Sequence, residues 1–526
     1  MIDDLKMFFR YFSGLRRFLG QPLTPEDCRR RIQRQLQDRN ESFLRVVERG
    51  IYGNPRSPYA RLLKHAGIDF PTVAALVRRE GLETTLGKLY DAGVYVTFEE
   101  FKGRRPVHRP GLSFKVRPED FHNPLLARDY ELQTAGSRGV GTRIIVDFDL
   151  LTHEAAYHFL SIECLGLQGR PVAIWYGVPP VVSGLKHLLR SAKIDQRIEK
   201  WFSLSPLVVR PKTLKYFVFT KYALYGSRLC GNPLPNPEYT PLEDAHKVAL
   251  WLAAKRKGGN PAELHTNPSS GVRVCLAAQE RGLDISGTLF RLNSEPYTPA
   301  KAKIVAESGC RAAAQYSMGE IGNIGMACGE PAALDDVHLL TDKLAVLQRK
   351  KQILNSTLCV DALLYTTLLP SCPKLLLNVE SDDYGKIEKR KCACLWGDLG
   401  FEQHITNIRS YDKLTSEGMT FFGSELISLV EDVLPSRFGG HATDYQFLEE
   451  EEDGLPRVNI VVSPRVGAFD EERLILTVLD QLGTSLALKS MMAERWREGR
   501  TLRVIRREPF ASGAAKILPL HILRKP

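Results

Sequence analysis

The sequence predicts an α/β protein with a large N-terminal domain and a small, mobile α+β C-terminal domain. From about 110 to 405, apolar β-branched runs alternate with helical patterns, which is typical of layered, mostly parallel sheets covered by helices. The first 105 residues are rich in Arg, Leu and Glu at helical spacing. After about 405 the pattern changes to helix, strand pair, helix and strand, which predicts a second, smaller unit.

We therefore expect a helical lead-in over 1–105 packed on the large domain, the large domain over 106–408 and the small domain over 409–526. The predicted strands of the large domain include RIIVDFD, PVAIWYG, GTLFRLN, CRAAAQYS and KLLLNVE. The predicted helices include HEAAYHFLSIECLGL, TPLEDAHKVALWLAAKRK and TPAKAKIVAESG. In the small domain, the acidic run EEEED before Gly454 indicates a solvated turn.

Composition narrows the class of protein. The 526 residues are 43% apolar and 25% charged, which excludes global disorder, and the net charge of +11 favours an anionic partner. No nucleic-acid module accompanies that charge, so we expect no nucleic-acid partner. There is no run of about 18 apolar residues and no export signal at the start, so a cytoplasmic protein with reduced thiols is expected. The N-terminal helix either docks on its own domain or touches a membrane surface peripherally, and a homodimer is left open.

Residues 134–143, TAGSRGVGTR, form a glycine-rich loop that carries hydroxyl groups and positive charge. Glycines allow a close backbone approach, and consecutive N–H groups in such a turn bind anions. The loop matches neither the Walker pattern nor the dinucleotide fingerprint. Taken alone, it is either a surface turn or a phosphate loop.

A second group of residues follows a predicted strand in FRLNSEPYTPAKAKIVAESGCRAAAQYSMGE. An aromatic ring at the end of a parallel strand, here Tyr316, can cover a planar base. A carboxylate four residues on, Glu320, could hold Mg²⁺ at phosphates. The alternative is a core tyrosine and a helix-capping glutamate.

Six segments in order resemble the adenylate-forming ligases, and most of all the phenylacetate–CoA ligase branch with the related acyl-protein synthetases. They are TAGSRGVGTR, SEPYT, YSMGE, NVESDDYG, IRSYDKLTSEGM and ASGAAKILPL, and the resemblance covers about residues 90 to 526. It implies ATP, Mg²⁺ and coenzyme A as cofactors.

The resemblance also implies roles for single residues. Tyr316 is similar to the adenine-stacking aromatic residue, Glu320 to the Mg²⁺-binding glutamate, and Asp383 to the aspartate that holds the ribose hydroxyls. Asp398, in GDLG, looks like that aspartate but lies too close to Arg409, which resembles the second ribose and phosphate contact. The other residues implied in nucleotide binding are Thr134, Gly136, Ser137, Gly139, Arg143, Ser294, Glu295, Pro296 and Ser317, and the implied hinge is Asp412 or Lys413.

Lys516 lies where the resemblance places the catalytic lysine, although two alanines separate it from Ser512-Gly513. As a carboxylate attacks the α-phosphate, negative charge builds on the phosphoryl oxygens. An ammonium group in a desolvated site stabilises that charge. The alternative is a solvated residue of the C-terminal tail.

Two pairs of residues, one of two cysteines and one of a cysteine and a histidine, suggest a metal site. Cys392 and Cys394 lie between two of the segments, and Cys328 with His338 follows the Tyr316–Glu320 strand. Thiolates and imidazole are zinc ligands, and four of them make a structural site. The alternative is buried reduced thiols with a surface histidine.

The resemblance implies that a small carboxylic acid reacts with ATP to form an acyl-adenylate, which then transfers its acyl group to a thiol. The first alternative acceptor is an acyl-carrier protein or an amine in place of coenzyme A. The second alternative is a non-catalytic nucleotide-binding regulator. The sequence does not identify the acid.

Overall fold

The structure is a computed structural model. It describes residues 2–126, 130–133, 143–146, 148–179, 181–208, 214–352, 359–410, 413–416, 419–422, 429–483, 493–494, 496–510 and 520–522. Residues 134–142 of the predicted phosphate loop, the hinge residue Asp412 and the C-terminal Lys516 lie outside these residues.

Helices occupy most of the first hundred residues. They are Ile2–Leu19, Pro25–Gln37, Arg39–Arg45, Pro58–His65, Phe70–Glu80, Leu82–Asp91 and Phe98–Phe101, with a π-helical turn at Val46–Tyr52. Tyr11, Leu15 and Phe18 of the first helix are buried in the main hydrophobic core, so this part of the helix packs on its own chain. Within the described residues, no helix is long and apolar enough to cross a bilayer.

The strands are numbered in chain order. They are β1 (Val107–Arg109), β2 (Leu112–Phe114), β3 (Tyr130–Gln133), β4 (Arg143–Val146), β5 (Val172–Trp175), β6 (Ile198–Ser203), β7 (Pro237–Tyr239), β8 (Glu263–Thr266), β9 (Leu289–Leu292), β10 (Arg311–Met318), β11 (Gly322–Met326), β12 (Val337–Leu339), β13 (Leu344–Gln352), β14 (Cys359–Thr367), β15 (Val379–Lys389), β16 (Gln403–Ser410), β17 (Lys413–Ser416), β18 (Met419–Phe422), β19 (Tyr445–Glu452), β20 (Leu455–Val462), β21 (Leu502–Arg506) and β22 (Leu520–Ile522).

One large sheet organises the α/β domain, as the sequence predicts. Its order is β13-β14-β15-β16-β12-β11-β10-β9-β8-β5-β6-β7. From β10 to β7 all neighbours are parallel, and the central strands β5, β8 and β9 are buried on both faces. From β10 to β13 all neighbours are antiparallel. The sheet therefore has a parallel wing, from β10 to β7, and an antiparallel wing, from β10 to β13, and the predicted parallel layering describes only the first.

The alternation of strands and helices holds within the parallel wing. The helices there are Phe148–Cys164, Val182–Lys193, Leu214–Leu229, Ala245–Lys257, Pro268–Glu280 and Pro299–Glu307. The predicted strand KLLLNVE begins only at Val379, because Asn378 adopts a left-handed backbone with φ of 51°. The Asn378 side-chain amide donates to the Leu86 and Val94 carbonyls, and so ties this turn to the N-terminal helices.

A four-stranded sheet of order β21-β20-β19-β22 forms the core of the C-terminal part. It is flanked by helices Leu434–Phe438 and Glu471–Gly483, and Trp496 is buried beside it. The prediction of a solvated acidic turn is wrong, because Glu449–Glu452 belong to β19 and only Asp453 and Gly454 form the turn. That turn packs on helix Pro299–Glu307, where Gly454 lies close to Ile304 and Lys301.

Candidate nucleotide site and cysteine–histidine cluster

A pocket of about 200 Å³ opens at the end of β10, between the two wings of the sheet. It is lined by Leu292, Asn293, Ser294, Glu295, Pro296, Tyr297, Ala314, Gln315, Tyr316, Ser317, Asp335, Val337, Asp383, Ile408, Arg409, Ser410 and Glu449. We call it the nucleotide pocket. Seven of its residues are predicted nucleotide contacts: Ser294, Glu295, Pro296, Tyr316, Ser317, Asp383 and Arg409.

The other predicted contacts are not in this group. Thr134, Gly136, Ser137, Gly139 and Lys516 lie outside the described residues. The backbone places Arg143 at the start of β4 and Lys413 at the start of β17.

Tyr316 and Asp383 contact each other across the pocket. The Tyr316 hydroxyl donates to Asp383 Oδ2 at 2.8 Å and lies 2.7 Å from the Tyr365 hydroxyl. Burial, together with the charge of Asp383, raises the pKa of Tyr316 well above its usual value, so the hydroxyl keeps its proton. Asp383 also accepts from Ser410, its partner across β15 and β16. The carboxylate is therefore oriented before any ligand binds.

Arg409 is oriented in the same way. Its guanidinium donates to Asp335 Oδ2 at 3.0 Å and to the Ile408 carbonyl at 2.7 Å. Asp335 also accepts from the backbone N–H groups of Asn407 and Ile408, at 2.9 and 3.0 Å. One carboxylate thus holds both the end of β16 and the arginine at its tip. The Arg409 side chain remains about one-third exposed, so it is accessible to a ligand.

The SEP turn after β9 forms another wall of the pocket. Ser294 has φ of 77°, a left-handed conformation that is uncommon outside glycine and concentrates at functional sites. The Ser269 backbone and hydroxyl donate to Glu295 at 3.1 and 2.8 Å, at the start of helix Pro268–Glu280. Glu295 therefore caps this helix. The carboxylate fixes the turn, and Ser294 and Pro296 on either side of it line the pocket.

The last wall comes from the small C-terminal sheet. Glu449 of β19 lines the pocket, and Glu451 lies 3.5 Å from the buried ammonium of Lys301. The Thr298 hydroxyl also donates to Glu451, at 2.5 Å. Burial raises the pKa of Glu449 to about 8; Lys301 opposes this rise, and Glu295 and Glu451 add to it. The sequence pattern did not reveal this wall, because its acidic run looks like a solvated turn.

Glu320, the predicted Mg²⁺ ligand, lies just beyond the pocket in the turn between β10 and β11. Its Oε1 accepts from the Lys102 ammonium at 2.7 Å, and both side chains are more than 90% buried. Burial would raise the pKa of Glu320, but the charges of Lys102 and then Lys374 outweigh it and hold the pKa below its usual value. Burial lowers the pKa of Lys374 to about 7. An ionised carboxylate suits Mg²⁺, but a metal ion there must replace Lys102 as its partner.

Cys328, His338, Cys392 and Cys394 form what we call the cysteine–histidine cluster. Their ligand atoms all lie within 4.8 Å of one another. The sulfurs of Cys328 and Cys392 are 3.9 Å apart, and Cys394 Sγ is 3.3 Å from His338 Nε2. In a tetrahedral zinc site with Zn–S bonds of about 2.3 Å, ligand sulfurs are about 3.8 Å apart. The cluster therefore has the composition and the spacing of a structural zinc site.

The surroundings of the cluster orient its ligands. His338 Nδ1 donates to the Phe401 carbonyl at 2.7 Å, which leaves Nε2 as the ligating nitrogen. The thiols of Cys164 and Cys328 hold the pKa of Cys394 well below its usual range. A side chain at Gly397 would collide with the Cys392 carbonyl, so glycine lets this loop close. Asp398, whose sequence context looks like that of the ribose-binding aspartate, lies in this loop, within the short helix Leu395–Asp398. It does not line the nucleotide pocket.

The fold of the chain is that of the adenylate-forming ligases. The structure of a 2-hydroxyisobutyryl-CoA ligase, in complex with 2-HIB-AMP and CoA, is similar with a TM-score of 0.59 and 13% identity, over 93% of this chain and 90% of that chain. The phenylacetate–CoA ligase branch stays a prediction.

Two further solved structures are similar at lower TM-scores. An o-succinylbenzoate CoA synthetase from Bacillus subtilis is 11% identical with a TM-score of 0.43, over 75% of this chain and 68% of that chain. An amide bond synthetase from Marinactinospora thermotolerans is 12% identical with a TM-score of 0.42, over 97% of each chain. No protein-family model and no curated protein matches the sequence.

Proposed function

We propose that this chain is an enzyme that activates a carboxylic acid with ATP and transfers the acyl group to a thiol, that of coenzyme A. The observation that carries the proposal is the nucleotide pocket, where seven residues expected from the ligase resemblance line one cavity. A carboxylate oxygen attacks the α-phosphate, the bond to the β-phosphate breaks, and pyrophosphate leaves. The thiol sulfur then attacks the acyl carbon, its proton is released to solvent, and AMP leaves. Covalent activation divides one difficult substitution into two easier ones.

In this proposal the pocket holds the adenosine end of ATP. The ring of Tyr316 stacks on adenine, while Asp383 accepts hydrogen bonds from the ribose hydroxyls. Arg409, held by Asp335, donates to the ribose and the phosphates. Charge-assisted hydrogen bonds of this kind contribute about 1.5–3 kcal/mol each. Preorganised contacts also avoid the entropic cost of ordering these side chains when ATP binds.

The phosphate end of the site involves the loop of Thr134, Gly136, Ser137 and Gly139, with Arg143 beside it. Glu320 would hold Mg²⁺, which neutralises phosphate charge. Lys516 would place its ammonium at the transferring phosphoryl group. The small domain over 409–526, hinged at Asp412 or Lys413, would move between the two half-reactions, with the large domain over 106–408 and the helical segment over 1–105 as its base.

We propose that the cysteine–histidine cluster holds a structural Zn²⁺. Four ligands and no further free position fit a structural site better than a catalytic one. The cluster ties the loop after β15 to the strands β11 and β12, which lie beside the pocket. The metal would therefore support the wall that carries Asp383.

The test is acid-dependent exchange of labelled pyrophosphate into ATP, across a panel of aryl and aliphatic acids. We expect exchange with at least one acid, and a fall of about 10- to 100-fold in kcat/KM for ATP in Asp383→Asn, since one charge-assisted contact is weakened. The matched control is Asp398→Asn, which alters an aspartate outside the pocket and should leave exchange unchanged. Equal effects of the two variants, or no exchange with any acid, would contradict the proposal. Coenzyme A, carrier thiols and amines offered as acceptors then identify the second substrate.

A further inference from the structure

Helix Leu214–Leu229 covers the main core with one face and leaves an apolar face open to solvent. Phe219, Ala223 and Leu224 of this helix are buried in the core. The exposed face carries four large apolar side chains, which we call the apolar stripe: Leu214, Val218, Tyr225 and Leu229. Tyr225 and Leu229 are the more exposed pair, at 62% and 61%.

The members of the apolar stripe line up along the helix. Their spacing is i, i+4, i+11 and i+15, and at 3.6 residues per turn their directions around the axis lie within about 60° of one another. A single exposed apolar residue needs no explanation, but a helix that is apolar on opposite faces is usually buried in a core or in a membrane. The stripe is therefore suited to a second apolar layer.

Positive charge lies along one edge of the apolar stripe. Lys221 and Arg228 are exposed, and the helical spacing places both of them next to the stripe on the same side. The sequence of the helix contains no aspartate or glutamate. Side chains of this type cover apolar surface with their stems and keep the charged end in a polar layer. The exposed face thus combines apolar contact area with a positive border.

The N-terminal helix Ile2–Leu19 packs along the other edge of the stripe. The ring of Phe12 lies against that of Tyr222, with centroids 5.9 Å apart. Arg16 of the N-terminal helix is exposed. Burial raises the pKa of Cys230, the residue after the stripe, and the charge of Arg16 opposes that rise, so this cation lies close to the end of the stripe. Both edges therefore carry positive charge.

This combination fits the surface of an anionic lipid bilayer. Helices that lie in the plane of a membrane surface carry large apolar residues on one face and Lys or Arg beside them. Burial of the apolar side chains below the headgroups and attraction of the cations to anionic lipids both contribute to binding.

A second copy of the chain is the competing occupant. In a twofold symmetric interface the helix would face the same helix of the other copy. Lys221 and Arg228 would then meet identical cations, and neither helix would supply an acidic residue. Like charges repel, so the charge pattern favours an anionic surface over self-association.

We propose that helix Leu214–Leu229 docks the protein on an anionic lipid surface. The apolar stripe would be buried at the level of the headgroups, and the bordering cations would contact lipid phosphates. The N-terminal helix supports this arrangement from the side, because its Tyr11, Leu15 and Phe18 are buried in the core. The proposal does not depend on the ligase activity.

The experiment measures cosedimentation of the full chain with vesicles of equal parts phosphatidylcholine and phosphatidylglycerol. We expect the parent to bind, and Y225S/L229S to bind at least about tenfold more weakly, because two large apolar side chains no longer leave water. The matched control is L250S/L334S, which alters two exposed leucines elsewhere and should bind like the parent. Leu250 belongs to helix Ala245–Lys257, which packs on a different hydrophobic cluster.

A second pair of variants tests the charge. K221Q/R228Q should lose about tenfold in affinity for the mixed vesicles, because two cations no longer attract the anionic lipid. Its control, K257Q/R473Q, neutralises two exposed cations elsewhere and should bind like the parent. Binding of the parent should also weaken with added salt, and on vesicles of phosphatidylcholine alone.

Light scattering of the protein without lipid decides between the two occupants. We expect the parent and Y225S/L229S to have the same mass in solution. A dimer of the parent that dissociates in this variant would mean that a second copy covers the stripe, and would overturn the proposal. It would also be overturned if the parent does not bind the mixed vesicles, binds neutral vesicles equally well, or is matched in its loss of binding by either control.

Discussion

The nucleotide pocket and the cysteine–histidine cluster are both assembled from segments that are distant in sequence. They differ in the partners that their polar side chains have within the protein. In the pocket, each carboxylate already has protein partners: Asp383 has Tyr316 and Ser410, and Asp335 has Arg409 and two backbone N–H groups. In the cluster, the four ligand atoms face one another, and their nearest polar neighbours are mainly other ligands of the same set.

The difference shows where each site obtains its stability. Hydrogen bonds that are satisfied inside the protein keep the pocket in shape before any ligand binds, so a ligand adds affinity more than it adds structure. Thiols gathered at metal-ligand spacing gain little from one another, because sulfur is a weak donor and a weak acceptor. If the cluster holds the proposed zinc, its folded geometry depends on the metal ion, whereas the geometry of the pocket does not depend on its ligand.

The largest expected effect is on the cluster. Cys394→Ser should lose the metal and several kcal/mol of unfolding free energy, because structural zinc supplies about 10–16 kcal/mol in zinc-finger peptides. Metal analysis should give about one zinc per chain in the parent protein and much less in the variant, together with a lower Tm.

The control for this change is Cys359→Ser, which alters an exposed thiol and should keep both zinc and Tm. If folded parent protein contains no zinc, or if both serine variants melt at the same temperature, the cluster is not a structural metal site. The contrast with the pocket would then disappear.

The next largest effect concerns Glu320, which combines features of both sites. It is a predicted metal ligand, as in the cluster, but its carboxylate already has a protein partner, as in the pocket. Lys102→Met removes that partner from a buried pair, which costs about 3–5 kcal/mol. Lys374 remains nearby and reduces this cost. If Mg²⁺ can bind at Glu320, MgATP should recover more stability in the variant than in the parent, as measured by Tm with and without MgATP.

The matched control is Lys350→Met, which removes a lysine from an exposed pair with Asp361 and should cost less than about 1 kcal/mol. A variant of Lys102 that melts like this control would show that the buried pair contributes nothing. If MgATP raises Tm equally in the parent and in the Lys102 variant, Glu320 is not a ligand of Mg²⁺.

Whether the role of a site residue could be predicted from the sequence depends on whether that residue is part of a linear motif. Tyr316 and Asp383 are recognisable because each is embedded in a segment with family-like neighbours, and β10 and β15 bring both to one pocket. Cys392 and Cys394 are recognisable from spacing alone. The α/β class follows from the alternation of strands and helices. The antiparallel wing does not follow from it, because within the described residues only the short helix Leu395–Asp398 lies between the strands from β11 to β16.

Asp335, Glu449 and Lys102 could not be predicted, because their roles arise from tertiary contacts. Asp335 is 74 residues from Arg409 in sequence and meets it only through the pairing of β12 with β16. Glu449 reaches the pocket because the β19–β20 hairpin docks on helix Pro299–Glu307. A charged residue in a polar segment has the same local pattern whether it ends in solvent or in a site.

The smallest expected effect tests whether the small domain closes the pocket, because Glu449 is a carboxyl group of the pocket lining with a strongly raised pKa. The carboxyl group has an ordinary pKa of 4.5 in solvent and about 8 when docked, since burial disfavours its charge. The docked arrangement therefore binds a proton. Its stabilisation is full below pH 4.5 and is lost as pH rises through 8, so hydrogen exchange in helix Pro299–Glu307 should accelerate between pH 6 and 9 beyond the intrinsic rate.

Glu449→Gln keeps the shape of the side chain without the charge, so its protection should not depend on pH in this window. Glu452→Gln, at the exposed end of the same strand, is the control and should follow the parent. Protection in the parent that stays constant from pH 6 to 9 would mean that the carboxyl group is ionised and solvated. The pocket would then be open on the side of β19, and its three remaining walls would have to hold the nucleotide without the small domain.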